Sequence, residues 1–226
     1  GLEAAGIARC NGDVMATNAA LRLPLQDWVR RFDFWMSEQS PKASEQLSII
    51  FDFRRVAGKL DAEGALDDIM ATAVNRPIFL AHLARRALDL RPPIGFVRGL
   101  IVDHRGEHPG TVDLKHGGIL IVGNIARAWA TRTGVTAKRT LHRLRAAEGA
   151  GAIDAETREG LEEAFRFLWE VRLRHHVEQM RAGEKPDDFV DPKALGGVAR
   201  QGLKEAFRII ARAQKELALA AGIKPR

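Results

Sequence analysis

Ser48-Ile49-Ile50-Phe51-Asp52-Phe53-Arg54-Arg55 sets a single acid near the end of an apolar run that turns basic at once. Isoleucine and phenylalanine suit a pleated, mostly buried surface, so the pattern predicts a strand. A carboxylate in that setting loses its hydration unless a cation or a hydrogen-bond donor compensates it. Two readings follow for Asp52: an ion pair with Arg54 or Arg55, or a ligand position for a metal ion.

Around this run, residues 1 to about 60 mix strand-like segments with one helix, Leu25 to Ser37, in which Trp28, Phe32 and Trp35 recur at helical spacing. The two tryptophans are read as core residues of the helix that covers the sheet. From Leu60 onward the periodicity is almost wholly helical, with helices predicted at 61–75, 77–89, 118–133, 136–148, 155–182 and 192–221. Pro92-Pro93-Ile94-Gly95, His108-Pro109-Gly110, Gly149 to Gly151 and Gly183 to Pro192 punctuate them. A boundary near Arg76 divides the chain into residues 1–75 and 76–226. The fold class expected is α+β, mostly α: a partial α/β sheet segment followed by an antiparallel helical bundle. Gly160-Leu161-Glu162-Glu163-Ala164-Phe165 and Gly202-Leu203-Lys204-Glu205-Ala206-Phe207 echo one another, each placing Leu, Ala and Phe on one stripe as paired helices require.

With 226 residues the chain can bury a substantial core. Its one cysteine, Cys10, excludes an internal disulfide framework, disfavours a cysteine-zinc site and is read as a buried thiol. No apolar run approaches the length of a membrane span, and the expected location is cytoplasmic. The formal charge of +6 is uneven: residues 1–75 carry 8 basic and 11 acidic side chains, a net of −3, and the remainder carries 27 and 18, a net of +9. The basic helical part suits a triphosphate, an acidic protein partner or nucleic acid. Nucleic acid is disfavoured, because the chain has no tyrosine and its tryptophans lie on a core stripe.

Cys10-Asn11-Gly12-Asp13-Val14-Met15-Ala16-Thr17-Asn18, the Trp28 and Trp35 helix, Phe51-Asp52-Phe53-Arg54 and Gly58 resemble, in that order, the later half of a nucleotidyltransferase domain. The family is one of bacterial nucleotidyltransferases associated with CBS and cyclic-nucleotide-binding domains, similar to the nitrogen-regulatory (PII) uridylyltransferases. The likeness continues through Pro92 to Phe96, Asp113-Leu114-Lys115, Ala126-Arg127, Thr140 to Leu144, Arg172 to His175 and Asp191-Pro192, over the family's C-terminal substrate-binding domain. Phe53 and Arg55 depart from the leucine and proline usual in that strand.

The resemblance implies transfer of a nucleoside monophosphate from a nucleoside triphosphate to an acceptor hydroxyl, for which a protein could serve, with two magnesium ions. Asp52 looks like the third acid of the metal cage. Hard cations want carboxylate oxygens, and one carboxylate does not make a two-metal site. No Gly-Ser turn or strand-borne Asp-x-Asp pair occurs in these residues. The remaining ligands are therefore expected before Gly1, in an N-terminal part of the same protein, and this chain alone is expected to be inactive. The other expectation is a non-catalytic helical binding or regulatory module of a signalling protein.

Lys115, in Asp113-Leu114-Lys115-His116-Gly117-Gly118, stands before an apolar helix where glycines could leave N–H groups free for an anion. An Asp N-cap with an exposed lysine is the plain alternative. Arg172 continues the apolar stripe of its helix and needs an anion, from an acid such as Glu170 or Glu178, or from substrate. Arg54, Arg127 and Arg143 join it as candidates for phosphate or acceptor, since the planar guanidinium matches phosphate oxygens. His104-Arg105-Gly106-Glu107-His108 carries a zinc-peptidase spacing on a turn rather than a helix, and is read as accidental. His175-His176 is read as a solvated or core pair.

Overall fold

A computed structural model describes residue 10 and residues 12–38, 50–95, 99–102 and 107–224. Helix α1, Leu25–Ser37, starts after Pro24, and Asp27 in its first turn suits the positive end of the helix dipole. α2, Ala62–Ala71, is capped by Asp61, whose carboxylate accepts from the Gly64 N–H at 3.2 Å. A 3-10 turn, Thr72–Asn75, leads to α3, Pro77–Asp89, which opens on proline at its first turn. One wide π-helical turn, Lys115–Ile119, runs directly into α4, Leu120–Arg132. α5 spans Thr140–Gly149, α6 Ala155–Arg181 and α7 Gly197–Ala220. Asp154 caps α6 through the Thr157 N–H at 2.7 Å, and Gly183, at φ +75°, ends it in the left-handed conformation that glycine adopts freely. The helices fall close to the bounds that periodicity predicts.

Two strands of two residues each, β1 Val112–Asp113 and β2 Phe189–Val190, pair antiparallel with Val112 opposite Val190. They are the one sheet among the described residues, so the molecule is mostly α with a small β element. The strand predicted at Ser48 to Arg55 is not formed where it is described: Phe51 and Asp52 lie in a turn, and residues 53–56 have no regular structure. The apolar character there serves tertiary packing. Phe51 is 7% exposed in the main core, and Phe53 packs edge-on to Phe32 of α1 at 5.7 Å. Trp35 is buried and Trp28 half-buried, with both rings against Phe32, as core residues of α1. Cys10 is exposed, which corrects the reading of a buried thiol.

α4 is apolar nearly all round, with Ile121, Val122, Ile125, Ala126, Ala128 and Ala130 at 1% exposure or less. A helix of that kind must be enclosed, and it packs against α3, α5 and α7. α6 lies antiparallel along α7. A Cβ on Gly160 would stand 3.1 Å from Ile209, and one on Gly202 would stand 2.8 Å from Phe167, so each glycine admits a side chain of the facing helix. α1 and α2 pack together and join α4 and α5 through Phe51, Asp52 and Lys138. No helix of the described residues is long and apolar enough to cross a membrane.

Candidate functional site

Asp52 receives guanidinium groups from two helices. Arg127 of α4 donates through Nη2 to Oδ2 at 2.8 Å, and Arg143 of α5 donates through Nη2 to Oδ1. The Phe51 ring faces both cations, with centroid distances of 5.3 Å to Arg127 and 5.2 Å to Arg143. Arg143 is 2% exposed and also donates through Nε to the Ala137 carbonyl at 2.7 Å, whereas the Asp52 side chain remains 43% exposed. A buried guanidinium thus has a half-open carboxylate as its counter-ion.

Burial opposes charge on Asp52, but the Arg143 hydrogen bond and the Arg127 charge outweigh it and hold the carboxyl below its ordinary value. On Arg143, burial prevails and pulls the guanidinium below the usual arginine value, although it stays cationic. Arg127 donates through Nη1 to Asn124 at 3.1 Å, while its buried Nε has no partner among the described residues. That is unused donor capacity on one of the two arginines that hold the acid.

The partners sequence reasoning named for Asp52, Arg54 and Arg55, are not the ones it uses. Arg54 is exposed, without an ion pair among the described residues, and the Arg55 backbone N–H faces Glu63. Arg127 and Arg143, candidates with Arg172 for phosphate or acceptor, close on Asp52, while Arg172 lies in a separate cluster. The distance along the chain, 75 and 91 residues, left no local signal. Phe51 as the platform and Lys138, which sits 3.8 Å above the Phe53 ring and pairs with Asp67, were also missed.

Arg172 belongs to a second cluster, where its Nε donates to Asp188 just before β2. His176 contacts the same Asp188 oxygen at 3.2 Å, and His175 contacts Asp187 at 3.1 Å. Burial raises Asp188, but the Arg172 bond and charge, then His176 and the Lys115 charge, bring it below the usual carboxylate range. The Lys115 charge thus acts on the same acid that Arg172 holds. At Gly117 and Gly118 the glycines allow close packing. Both are buried, and a Cβ would stand 2.9 Å from Pro93 at the first and 2.5 Å from Leu168 at the second. Asp113 caps the turn, accepting from the His116 N–H at 2.8 Å. His104 to Gly106 lie outside the described residues, and His108 stacks on Phe189 at 3.9 Å.

Asp52 has the oxygen chemistry magnesium prefers. Both its oxygens already accept from guanidinium groups, however, and the described residues contain no group of three or more His, Cys, Asp or Glu able to hold a metal ion. These residues do not by themselves complete a magnesium site, and no step below passes through one.

Residues 77–221 match the family model described as "Putative nucleotidyltransferase substrate binding domain". Residues 1–42 match a second, described as "Putative nucleotidyltransferase DUF294". No curated protein and no solved structure matches the chain. The first match alone covers well over half the sequence, takes in Lys115, Arg127, Arg143 and Arg172, and adjoins the segment that delivers Asp52: the chain belongs to this nucleotidyltransferase-related family.

Proposed function

We propose that the chain supplies the substrate-binding part of an enzyme that transfers a nucleoside monophosphate from a nucleoside triphosphate to an acceptor hydroxyl. The observation that carries this reading is the fork at Asp52, two guanidinium groups on a half-open carboxylate with one buried donor of Arg127 unused. In the reaction the acceptor oxygen bonds to the α-phosphorus and gives up its proton to water, the bond to the bridging oxygen of the β-phosphate breaks, and pyrophosphate leaves with that electron pair. Negative charge grows on phosphate oxygens, where a planar cation is most useful. Arg127 has that role. Asp52, held below the usual carboxylate range, is a weak base. It acts as a positioning residue that keeps Arg127 and the buried Arg143 in register, while Lys115, Arg172 and Arg54 are assigned to acceptor or outer phosphate contacts. Magnesium, with Asp52 as this chain's ligand, is part of the family expectation and has no step here.

The test is transfer of label from an α-labelled nucleoside triphosphate by the intact protein and by Arg127→Lys and Asp52→Asn. Arg127→Lys is expected to lower kcat by ten-fold or more with a folded spectrum, because an ammonium loses the fork geometry. Asp52→Asn is expected to change KM and kcat together. Unchanged kcat and KM in both variants would reject these roles.

A second reading is favoured by one observation: both oxygens of Asp52 are engaged, and three grooves of the described residues are lined by other side chains. In that case the fork is a structural latch in a non-catalytic binding module. Wild-type protein that binds nucleotide but transfers no label would support it.

A further inference from the structure

The fork shares no residue with a groove of about 660 Å³ between the C-terminal halves of α3 and α7. Arg85, Arg86 and Arg91 stand on one wall, Lys215 and Lys224 on the other, and the acid on the lining is Asp89. Several arginines elsewhere on the helices are compensated: Arg145, Arg158, Arg172, Arg208 and Arg212 each pair with an acid. None of the five groove cations has an acid partner among the described residues. Five uncompensated cations around a concavity repel one another and focus a positive potential into it. The C-terminal dipole of α3 favours Arg86 but does nothing for Lys215 or Lys224 on the opposite wall.

The floor is different. Pro92, Ile94, Ala218 and Ile223 give it an apolar base, and a hollow of about 310 Å³ sharing Ile94, Ala211 and Lys215 extends it toward Arg208 and Arg212. The two walls are tied together from beneath. Gln214, 8% exposed, donates from one amide nitrogen to the carbonyls of Ala87 at 2.6 Å and Leu90 at 2.8 Å. The groove is thus preformed, and its volume lies in the range of small-molecule sites. Its chemistry calls for a ligand that joins several negative charges to a flat or apolar portion. Guanidinium groups both fork to phosphate oxygens and stack on ring faces.

We propose that this groove binds a nucleoside triphosphate, as a second nucleotide site separate from the Asp52 fork. The phosphates lie among Arg85, Arg91 and Lys215, and the base and sugar rest on Ile94 and Pro92. The inference stands whether or not the fork takes part in transfer.

Fluorescently labelled ATP and GTP, titrated into the intact protein with tripolyphosphate as competitor, give the test. The variants are Arg85→Glu with Arg91→Glu, both exposed and so tolerable to the fold, and Ile94→Ser. Circular dichroism and Tm serve as fold controls. The expected results are a Kd raised ten-fold or more by the double reversal, a Kd raised a few-fold by Ile94→Ser, and tripolyphosphate competing at least ten-fold more weakly than the nucleotide. Unchanged nucleotide binding in the double reversal would overturn the site. Tripolyphosphate competing as well as the nucleotide, with no effect of Ile94→Ser, would reduce it to a phosphate patch and overturn the nucleotide assignment. Nucleotide binding lost in Arg127→Lys but not in the double reversal would move the ligand to the fork, leaving the proposed function intact. Binding lost in the double reversal with no label transferred by wild type would do the opposite.

Discussion

The fork at Asp52 and the cluster at Asp188 are both built on arginine–aspartate pairs, yet their burial is distributed differently. At the fork the cation is the hidden member: Arg143 is 2% exposed and its acid 43%. At Asp188 the two partners are alike, 18% for Arg172 and 19% for the acid, and His176 supplies a further contact. The cost of breaking a pair depends on which charge is left behind and whether water can reach it. Removing Asp52 strands a buried guanidinium, whereas removing either partner at Asp188 leaves groups that neighbours or solvent can satisfy.

The largest effect is therefore expected at Asp52. Asp52→Ala should cost about 2–4 kcal/mol in urea unfolding, somewhat below a fully buried pair because water enters where the half-open carboxylate stood. Asp52→Asn should cost about half as much, since its amide oxygen still accepts from Arg143. Equal losses for Asp52→Ala and Asp188→Ala would erase the contrast between the clusters. Next comes the turn that brings Lys115 to the second cluster: Gly118→Ala sets a methyl 2.5 Å from Leu168, and should lower stability by roughly 1–3 kcal/mol in the same assay. Arg172→Ala should follow at about 1–2 kcal/mol.

Acid sharpens the comparison from another side. Both aspartates have folded-state pKa values below the ordinary one, so their contribution is fully present above the unfolded value of about 3.9 and is lost as pH falls through the lower folded value. The Tm difference between wild type and Asp52→Asn should be flat from about pH 5 to 8 and close below about pH 4. A difference that widened in acid would contradict the assignment. The smallest effect should come from Arg174→Ala, whose i,i+4 pair with Glu170 has both partners about two-thirds exposed, and which should change stability by less than about 0.5 kcal/mol.

The helices were legible because their signals are local. Pro77 opens α3, Gly149 to Gly151 separate α5 from α6, and the Trp28, Phe32 and Trp35 spacing declares the buried face of α1. Phe51-Asp52-Phe53 was misleading for the opposite reason. Its alternation matches a strand, but its residues answer to distant partners: Phe51 and Asp52 to the arginines of α4 and α5, and Phe53 to Phe32 and Lys138. The acid itself was singled out because a carboxylate among aromatic residues needs compensation; the compensators lie too far along the chain for any pattern to name. The second cluster was half visible, in that His175-His176 stood out as a doublet while its pairing with Asp187 and Asp188 waited on the fold.

Gln214 reaches back 127 residues to Ala87 and 124 to Leu90. During synthesis α3 emerges from the ribosome long before the side chain that will occupy its terminal carbonyls exists, and until then those oxygens face water. The groove between α3 and α7 is consequently among the last features to be assembled, so a nascent chain stalled before α7 presents the cations of α3 without the opposite wall. Ligand capture at that groove would report completion of the helical region as a whole.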